Sequence, residues 1–333
     1  MTAHLKVLIN FLPLFLFASA LNIQIKSENY SDFMPISELF SKWKTYYEKK
    51  GANYFLLNNK ISLSYNNIGI YHSFFLYGKT NKDSAYLLYV LNSKNNINKG
   101  DYNVDIYLKG YETKGVFLFK ELKNFAIRFN IFKVINHQNG YLKGNVTAYD
   151  NNKYDFQGYS DYYFSKNYLY HWWGYKKSYG YGASFDLYLK KKINSLKINL
   201  NIEDIGRMYI NNSPHTKVYI NSSNKTKKNG YVTYNPIISG KETYEKLTMN
   251  SVIKYTISLN YKHSIFAFKK IKNIKMPYIG VTDKNYKFLY NFKFKTIGIN
   301  YKYKNLYLAY FANKLNPNKA SSLGFNINFL YNF

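Results

Sequence analysis

Large apolar residues recur at every second position along much of this 333-residue chain. The segment LKINLNIE (196–203) alternates Leu and Ile with Lys, Asn and Glu. The segments FAIRFNI (125–131), YKFLYNFKF (286–294) and IGINYKY (297–303) repeat this pattern. Successive side chains of a β-strand point to opposite faces, so each segment is predicted to form a strand with one apolar and one polar face. The stretch 286–303 changes parity between Phe294 and Ile297, which indicates either a tight turn or a bulge in one long strand.

Both an antiparallel sandwich and a membrane barrel show such alternation, and three features favour the barrel. Aromatic residues make up 20% of the chain, with 39 Tyr and 25 Phe, as lipid-facing strands require. The polar faces carry Asn, Lys and Gly rather than a run of surface carboxylates. The short segment KKINS joins two strands (183–189 and 196–203) that long segments (165–180 and 211–230) flank. We therefore predict an all-β fold, a closed antiparallel transmembrane β-barrel of about 14 strands within a range of about 12–18.

The N-terminus predicts export. MTAHLK carries one lysine, the apolar stretch VLINFLPLFLF follows, and Ala18-Ser19-Ala20 supplies the small residues of a cleavage site. The apolar stretch is shorter than the ~20 residues of a spanning helix, and Pro13 interrupts it. Residues 1–20 are therefore predicted to be a signal peptide, with the mature chain starting at Leu21. The chain has no Cys, so disulfides cannot stabilise the exported fold.

The formal net charge of +29 raises the question of nucleic acid binding. Only Arg128 and Arg207 are arginines, and Arg is the residue that reads bases and phosphates bidentately. We therefore expect no nucleic acid partner. After Glu245 the only acidic residue is Asp283, while lysines continue to the end of the chain. Such a surface is expected to favour anionic partners, such as lipopolysaccharide phosphates or anionic solutes.

The last ten residues, GFNINFLYNF, alternate apolar residues with amides and end on an aromatic residue. This strand resembles the C-terminal assembly signal of bacterial outer-membrane β-barrel proteins, with Phe325, Ile327, Phe329, Tyr331 and Phe333 as its apolar face. The resemblance covers about residues 53–333 as a pattern and identifies a class rather than a particular family. It implies a Gram-negative outer-membrane location, contact with membrane lipids and lipopolysaccharide, and capture of the last strand by the barrel assembly machinery. Pairing of that strand with the first would then leave no free edge. Leu330 departs from the pattern because it lies on the polar face.

Residues 21–52 do not fit the strand pattern and are predicted to form a separate N-terminal segment, periplasmic or plug-like, before a barrel over 53–333. PISELFSKWKTYYEKKG indicates a short helix with Ser37 as its cap and Gly51 at its end. One apolar stripe of this helix would pack at the periplasmic rim or in the lumen, and it consists of Leu39, Phe40, Trp43, Tyr46 and Tyr47. A helix that binds a partner is the alternative.

Charged residues on the polar face of the strands are the best site candidates. Parity directs them away from lipid, and inner-face charges tune the selectivity of barrels. Stabilisation of the barrel by ion pairs is the alternative role. These selectivity candidates are Arg128, Asp186, Lys197, Glu203, Lys287, Lys293 and Lys302.

Catalytic and metal motifs are not evident. The pairs His72-Ser73 and His263-Ser264 are strand neighbours that face opposite ways, so neither makes a nucleophile–base contact. The sequence has no His pair at ligand spacing and no carboxylate-rich loop, so no catalytic, metal or cofactor site is predicted. HWWGY (171–175) is expected to lie in the interfacial aromatic girdle or at the base of a loop, or else to contact sugar or lipid.

Three functions fit these patterns. The first is a porin-like channel for small, preferentially anionic solutes. The second is a plugged surface or structural barrel whose external loops bind a partner. The third, with the least support, is a lipid-modifying outer-membrane enzyme. The sequence leaves the solute, the state of the lumen and the oligomeric state open.

Overall fold

The computed structural model describes residues 20–39, 41–149, 153–165, 178–223, 225–228, 231–234 and 236–332. In these ranges the chain is mostly β-strand. The strands are β1 (Ala20–Ser31), β2 (Asn53–Tyr65), β3 (Ile68–Thr80), β4 (Gly100–Glu121), β5 (Phe125–Ala148), β6 (Tyr154–Phe164), β7 (Tyr179–Ile193), β8 (Leu196–Asn221), β9 (Lys225–Lys228), β10 (Tyr231–Tyr234), β11 (Ile237–Asn250), β12 (Lys254–Tyr261), β13 (Ser264–Ile271), β14 (Ile274–Asp283), β15 (Tyr286–Asn291), β16 (Thr296–Tyr303), β17 (Leu306–Ala312) and β18 (Ser322–Asn332).

Helices lie only in the connections of the described chain. They are the α-helix α1 (Lys82–Ser93) and two 3-10 helices, Ile36–Glu38 and Pro317–Lys319. Asn81 caps α1, because its side chain accepts a hydrogen bond of 2.8 Å from the backbone N–H of Ser84. Within the described ranges, no helix has the length and apolar character needed to cross a membrane.

The strands form a closed antiparallel barrel with 14 strand positions in its wall, which confirms the predicted fold. β18 pairs with β1, with Ile327 opposite Ile25, and so closes the sheet on itself. Two wall positions are each filled by two strands that lie end to end. β6 and β7 both lie between β5 and β8, and β11 and β12 both pair with the other edge of β8. β9 and β10 form a separate hairpin.

The two ends of the barrel differ in their connections. The start of β1 and the end of β18 lie at one end, together with the turns 66–67, 122–124, 194–195, 262–263, 284–285 and 304–305. We call this the short-turn end, and the opposite end the long-loop end. The long-loop end carries the connections 32–52, 81–99 and 313–321. Bacterial outer-membrane barrels place short turns in the periplasm and long loops outside.

An apolar belt faces outward around the barrel. Ile70, Val116, Ile131 and Ile297 are each between 52% and 60% exposed, whereas the next residue along β4, Phe117, is buried. Polar side chains dominate the inner face of the wall nearer the short-turn end. The predicted alternation therefore separates a lipid-facing surface from a polar lumen, as in transmembrane barrels.

One side of the barrel is taller than the other. β4, β5 and β8 contain 22, 24 and 26 residues, whereas β12 to β17 contain 6 to 10 residues each. On the tall side the outward face becomes apolar again toward the long-loop end, where Ile106 and Leu108 continue the parity of Val116. The helix α1 and the segment 33–47 cover this face, with Leu88 and Trp43 buried against it. We call this packed region the outer cluster.

A second apolar cluster fills the lumen toward the long-loop end. Its buried members come from strands all around the barrel, and contacts cross the lumen: the Val252 N–H donates to the Tyr111 hydroxyl at 3.1 Å, and Tyr30 stacks on Phe294 with ring centroids 4.5 Å apart. We call this cluster the septum. It consists of Tyr30, Leu56, Tyr71, Phe75, Tyr77, Tyr111, Phe117, Phe132, Val134, Met208, Ile210, Met249, Val252, Ile271, Ile274, Met276 and Phe294.

The predicted start of the barrel at residue 53 is wrong. The barrel begins at Ala20, because β1 pairs with both β18 and β2 as an ordinary wall strand. Of the predicted N-terminal helix, the structure contains the 3-10 helix Ile36–Glu38, while residues 42–49 have no regular structure. The part of this segment after β1 lies outside the wall at the long-loop end and not in the lumen. Two residues of the predicted stripe, Leu39 and Trp43, are nevertheless buried in the outer cluster, and Tyr46 packs against it partly buried. These tertiary contacts override the local helix preference. Phe40 lies outside the described residues.

The ambiguous stretch 286–303 contains a turn. β15 ends at Asn291, whose side chain accepts hydrogen bonds from the backbone N–H groups of Lys293 and Phe294 at 2.9 and 3.2 Å. β16 then starts at Thr296. The parity change is therefore the reversal of the chain and not a bulge.

Candidate functional site in the lumen

A polar cavity of about 940 Å³ occupies the lumen between the septum and the short-turn end. Residues of the short-turn end line its mouth, among them Ala20, Asn66 and Lys190. Its inner end reaches Asn58 and Phe117, where the septum begins. Access to the cavity is therefore from the short-turn end.

A bulge in β8 brings extra acidic groups into this cavity. Asp204 has a φ of 61°, and the pairing of β7 with β8 shifts register between Phe185 and Leu187. As a result Glu203 and Asp204, although adjacent in sequence, both line the cavity. The backbone N–H of Asp204 donates to the Asp186 carboxylate at 2.7 Å, which fixes the bulge.

Two lysines link this bulge to the opposite side of the lumen. Lys254 lies 2.7 Å from the Asp204 carboxylate and also donates to Asn58 Oδ1 at 2.7 Å, so it joins nearly opposite sides of the barrel. Lys26 on β1 lies 3.6 Å from Glu203 on β8.

A second group of ion pairs centres on Glu28. Its carboxylate accepts hydrogen bonds from Lys269 and from Asn58, and it lies 3.9 Å from Lys26. These contacts tie β1, β2 and β13 together inside the lumen. Charges in such confined space are stable because each has an opposite partner.

Arg128 occupies the inner end of the cavity. Its Nε donates to Asn130 Oδ1 at 3.0 Å and lies 4.0 Å from Asp186 Oδ2. The guanidinium stacks on Phe117, with its central carbon 3.4 Å from the ring centroid. Arg128 is 8% exposed, and its Nη2 has no hydrogen-bond partner. Lys60 lies nearby, with its Nζ 4.7 Å from the centroid of the Tyr71 ring.

Three of the predicted selectivity residues come together here, because Arg128, Asp186 and Glu203 all line the cavity. Three others, Lys197, Lys287 and Lys302, lie on strands at the short-turn end, and Lys287 is within electrostatic reach of the other two. We call these three the mouth lysines.

The seventh predicted residue, Lys293, lies elsewhere. It belongs to the turn between β15 and β16 at the long-loop end, where it lies 3.6 Å from the Asp32 carboxylate. Lys49 shares that carboxylate at 2.7 Å. The expectation that Lys293 shares a strand face with Lys287 fails because the chain turns between them.

Sequence reasoning missed several charged residues of the lumen. Lys26 and Glu28 were overlooked because their strand was assigned to a separate N-terminal segment, although they alternate with Ile23 and Ile25. Asp204 was missed because its bulge reverses the parity. The other missed residues are Lys60, Lys254 and Lys269.

A lysine also closes the lumen near the long-loop end. Lys272, in the turn between β13 and β14, donates to the Tyr107 hydroxyl at 3.0 Å and lies over the Tyr77 ring. Burial, together with the neighbouring Lys109 and Lys79, lowers the pKa of Lys272 to about 8. This contact reaches across the lumen and continues the barrier that the septum forms.

The two buried histidines, His137 and His215, have partners that the sequence did not reveal. His137 Nε2 lies 2.7 Å from Ser213 Oγ, but both residues are fully buried and so cannot meet a substrate. His215 lies between two carboxylates, with Nε2 2.8 Å from Asp161 and Nδ1 3.1 Å from Glu245. Neither ring nitrogen is left to act as a base. In the part of the chain that the structure describes, no group of three or more ligands is arranged to hold a metal ion.

Several predicted features lie wholly or partly outside the described residues. They are the signal peptide before Ala20, the HWWGY motif and Phe333. Of the proposed assembly signal, Phe325, Phe329 and Tyr331 face outward with exposures of 40%, 40% and 49%. Leu330 faces the lumen and lines the cavity.

No protein-family model and no curated protein matches this sequence. Among solved structures, the chain is similar to the toluene transporter TodX of Pseudomonas putida, with 8% identity and a TM-score of 0.34 over 95% of this chain and 90% of that one. It is also similar to the outer-membrane protease OmpT of Escherichia coli (8% identity, TM-score 0.25, 95% and 98% covered) and to a BenF-like porin of Pseudomonas fluorescens (8%, 0.20, 95% and 99%). Similarity this weak carries no argument about function.

Proposed function

We propose that this chain is an integral barrel of the bacterial outer membrane with a porin-like function, and that it admits small solutes with a preference for anions. One observation carries the proposal: a polar cavity of about 940 Å³ inside the barrel, open at the short-turn end. The mouth lysines stand at that end, where β15 and β16 carry no acidic residue and Asp283, at the end of β14, is the nearest carboxylate in the sequence to Lys287 and Lys302. Concentrated positive charge in a confined aqueous path lowers the energy of an anion.

The outer membrane is the proposed location because the outward belt is apolar and the short turns gather at one end. We further propose export by the N-terminal signal peptide, capture of β18 by the barrel assembly machinery, and contact with lipopolysaccharide through the basic outer surface. β18 supports the second point, since it closes the barrel and presents aromatic residues outward.

Passage through the barrel requires the septum to move. The cavity ends at Phe117 and Tyr71, beyond which the lumen is packed with apolar side chains. A hydrophobic constriction of this kind excludes water and ions until it widens. The septum therefore also supports a second candidate, the plugged surface barrel, in which the lumen never opens and the long loops bind an external partner.

Planar-bilayer recording on the purified, refolded protein separates these candidates. A porin-like barrel is expected to give discrete conductance steps. In a salt gradient, the sign of its reversal potential is expected to show that anions pass more readily than cations. Selectivity should weaken toward ~1 M salt, where the screening length is about 3 Å. Properly folded protein that never conducts under any applied voltage would contradict the channel and favour the plugged barrel.

A further inference from the structure

The cation at the inner end of the lumen cavity, Arg128, uses only part of its hydrogen-bonding capacity. Asn130 and Asp186 engage Nε of Arg128, and Phe117 covers one face of the guanidinium. The remaining Nη2 is buried and lacks a hydrogen-bond partner. A buried guanidinium N–H without an acceptor costs free energy, so its retention at a cavity wall indicates that a ligand supplies the acceptor.

A second cation faces the same space. Lys60 lies over the Tyr71 ring at 4.7 Å, and the Arg128 guanidinium approaches that ring centroid to 5.6 Å. The two cations are close enough to repel each other. The nearest acidic groups are already engaged, because Asp204 pairs with Lys254 at 2.7 Å and Asp186 accepts the Asp204 N–H. An anion between Arg128 and Lys60 would relieve the repulsion.

We propose that Arg128 and Lys60 form a binding subsite for the oxyanion group, carboxylate or phosphate, of a small organic solute that enters from the short-turn end. Arg supplies N–H groups in the planar geometry that oxyanions accept, and Lys adds a point charge. Phe117, Phe119 and Tyr188 line the same cavity and offer apolar contact to the body of the solute. The volume of about 940 Å³ lies within the range of small-molecule sites.

The inference rests on the proposed function only in requiring that solutes enter the lumen. Binding and conduction are measured separately, so one can fail without the other. A protein that binds the probe but never conducts retains the subsite and loses the channel. A protein that conducts but does not bind the probe retains the channel and loses the subsite.

The test is calorimetric titration of the full-length, detergent-solubilised barrel with benzoate and with benzamide, its uncharged counterpart. Benzoate is expected to bind and benzamide to bind at least about tenfold more weakly, since it lacks the charge that Arg128 recognises. Equal binding of the two probes, or no binding of benzoate, would overturn the proposal. Displacement of benzoate by inorganic phosphate assigns phosphate-bearing solutes, displacement by acetate alone assigns carboxylates, and displacement by neither contradicts an oxyanion subsite.

Variants tie the binding to these residues. Arg128→Met and Lys60→Met are each expected to weaken benzoate binding at least about tenfold, and Arg128→Lys to restore part of the loss. Lys133→Met is the matched control, because Lys133 lies on β5 as Arg128 does but on the outward face. Retention of the heat-modifiable band on gels shows that each variant is folded. If Arg128→Met does not fold, the benzoate affinity of Lys60→Met is the deciding measurement. Unchanged benzoate binding in a folded Lys60→Met protein refutes the subsite.

Discussion

The Lys254 ammonium lies 2.7 Å from the Asp204 carboxylate and bridges to Asn58 across the lumen. Lys254 is 7% exposed, and its partner Asp204 stands on the bulge of β8. We expect Lys254→Met to lower the free energy of unfolding by about 3 kcal/mol, because removal of one partner leaves the other charge buried. Urea titration of the refolded barrel, followed by gel mobility, measures the change.

The exposed pair of Lys190 and Glu121 provides the control for this measurement. Their charged atoms are 3.4 Å apart, but their side chains are 64% and 62% exposed. Lys190→Met is therefore expected to cost less than about 1 kcal/mol. Equal losses in both variants would show that the lumen pair behaves as a surface pair.

Insertion of the last strand depends on which face carries a charge. Phe329→Lys is expected to destabilise the barrel by about 2–4 kcal/mol and to reduce the heat-modifiable protein in the membrane fraction, since Phe329 faces lipid. Its neighbour Asn328 has the opposite parity, so Asn328→Lys should assemble normally. Phe333→Lys is predicted to abolish assembly while export continues. Normal insertion of both Phe329→Lys and Phe333→Lys would contradict the assembly signal.

Selectivity should follow the mouth lysines. In a conducting barrel, replacement of Lys197, Lys287 and Lys302 by Glu is expected to invert the sign of the reversal potential in a salt gradient. Lys293→Glu serves as the matched control, because its partner Asp32 lies at the other end of the barrel. A conducting triple variant that still prefers anions would place the selectivity elsewhere in the lumen.

Loosening of the septum should increase conduction. Met208→Ser combined with Met276→Ser removes two fully buried side chains from the septum and admits water to an apolar constriction. We expect larger or more frequent conductance steps than in the original protein. Phe164→Ala removes a comparable buried side chain from the outer cluster and should leave conductance unchanged. Identical recordings for all three proteins would show that the septum does not limit passage.

Four lysines in turns between strands have positive backbone φ angles, which disfavour residues with a side chain: Lys262, Lys272, Lys295 and Lys304. Lys304 has a φ of 47°, in a region that costs a residue with a side chain roughly 1–2 kcal/mol. Lys304→Asn is expected to raise the free energy of unfolding by up to about 1 kcal/mol, because Asn tolerates this conformation. Lys284→Asn, in another turn of the short-turn end without a positive φ, should be neutral in the same urea titration.

The sequence predicted the barrel because alternation is a local property that each strand displays by itself. The start of the wall was misplaced because the helical spacing around Leu39 and Trp43 led residues 21–52 to be treated as one separate segment. The burial of these two residues depends on strands far along the chain. The turns were hard to locate because their residues are not typical of turns. Lys262, Lys272 and Lys304 occupy positive-φ positions where Gly or Asn would mark a turn.

The lumen site was only partly predictable. Parity places Arg128, Asp186 and Glu203 on the inner face, but it gives no information on which residues meet across the lumen. The bulge at Asp204 and the turn at Lys293 both change parity, and neither has a distinctive local sequence. The septum could not be foreseen, because its members are aliphatic and aromatic residues that any core would use.

The outer cluster imposes an order on how the barrel can be completed. The helix α1 precedes β4 in the chain, yet it shares the outer cluster with Val146 on β5 and Tyr162 on β6. Until β4, β5 and β6 are all in place, the apolar face of α1 therefore stays partly uncovered, whichever end of the barrel is assembled first. A chaperone that shields this helix during that interval would speed biogenesis without touching the membrane-embedded part of the barrel.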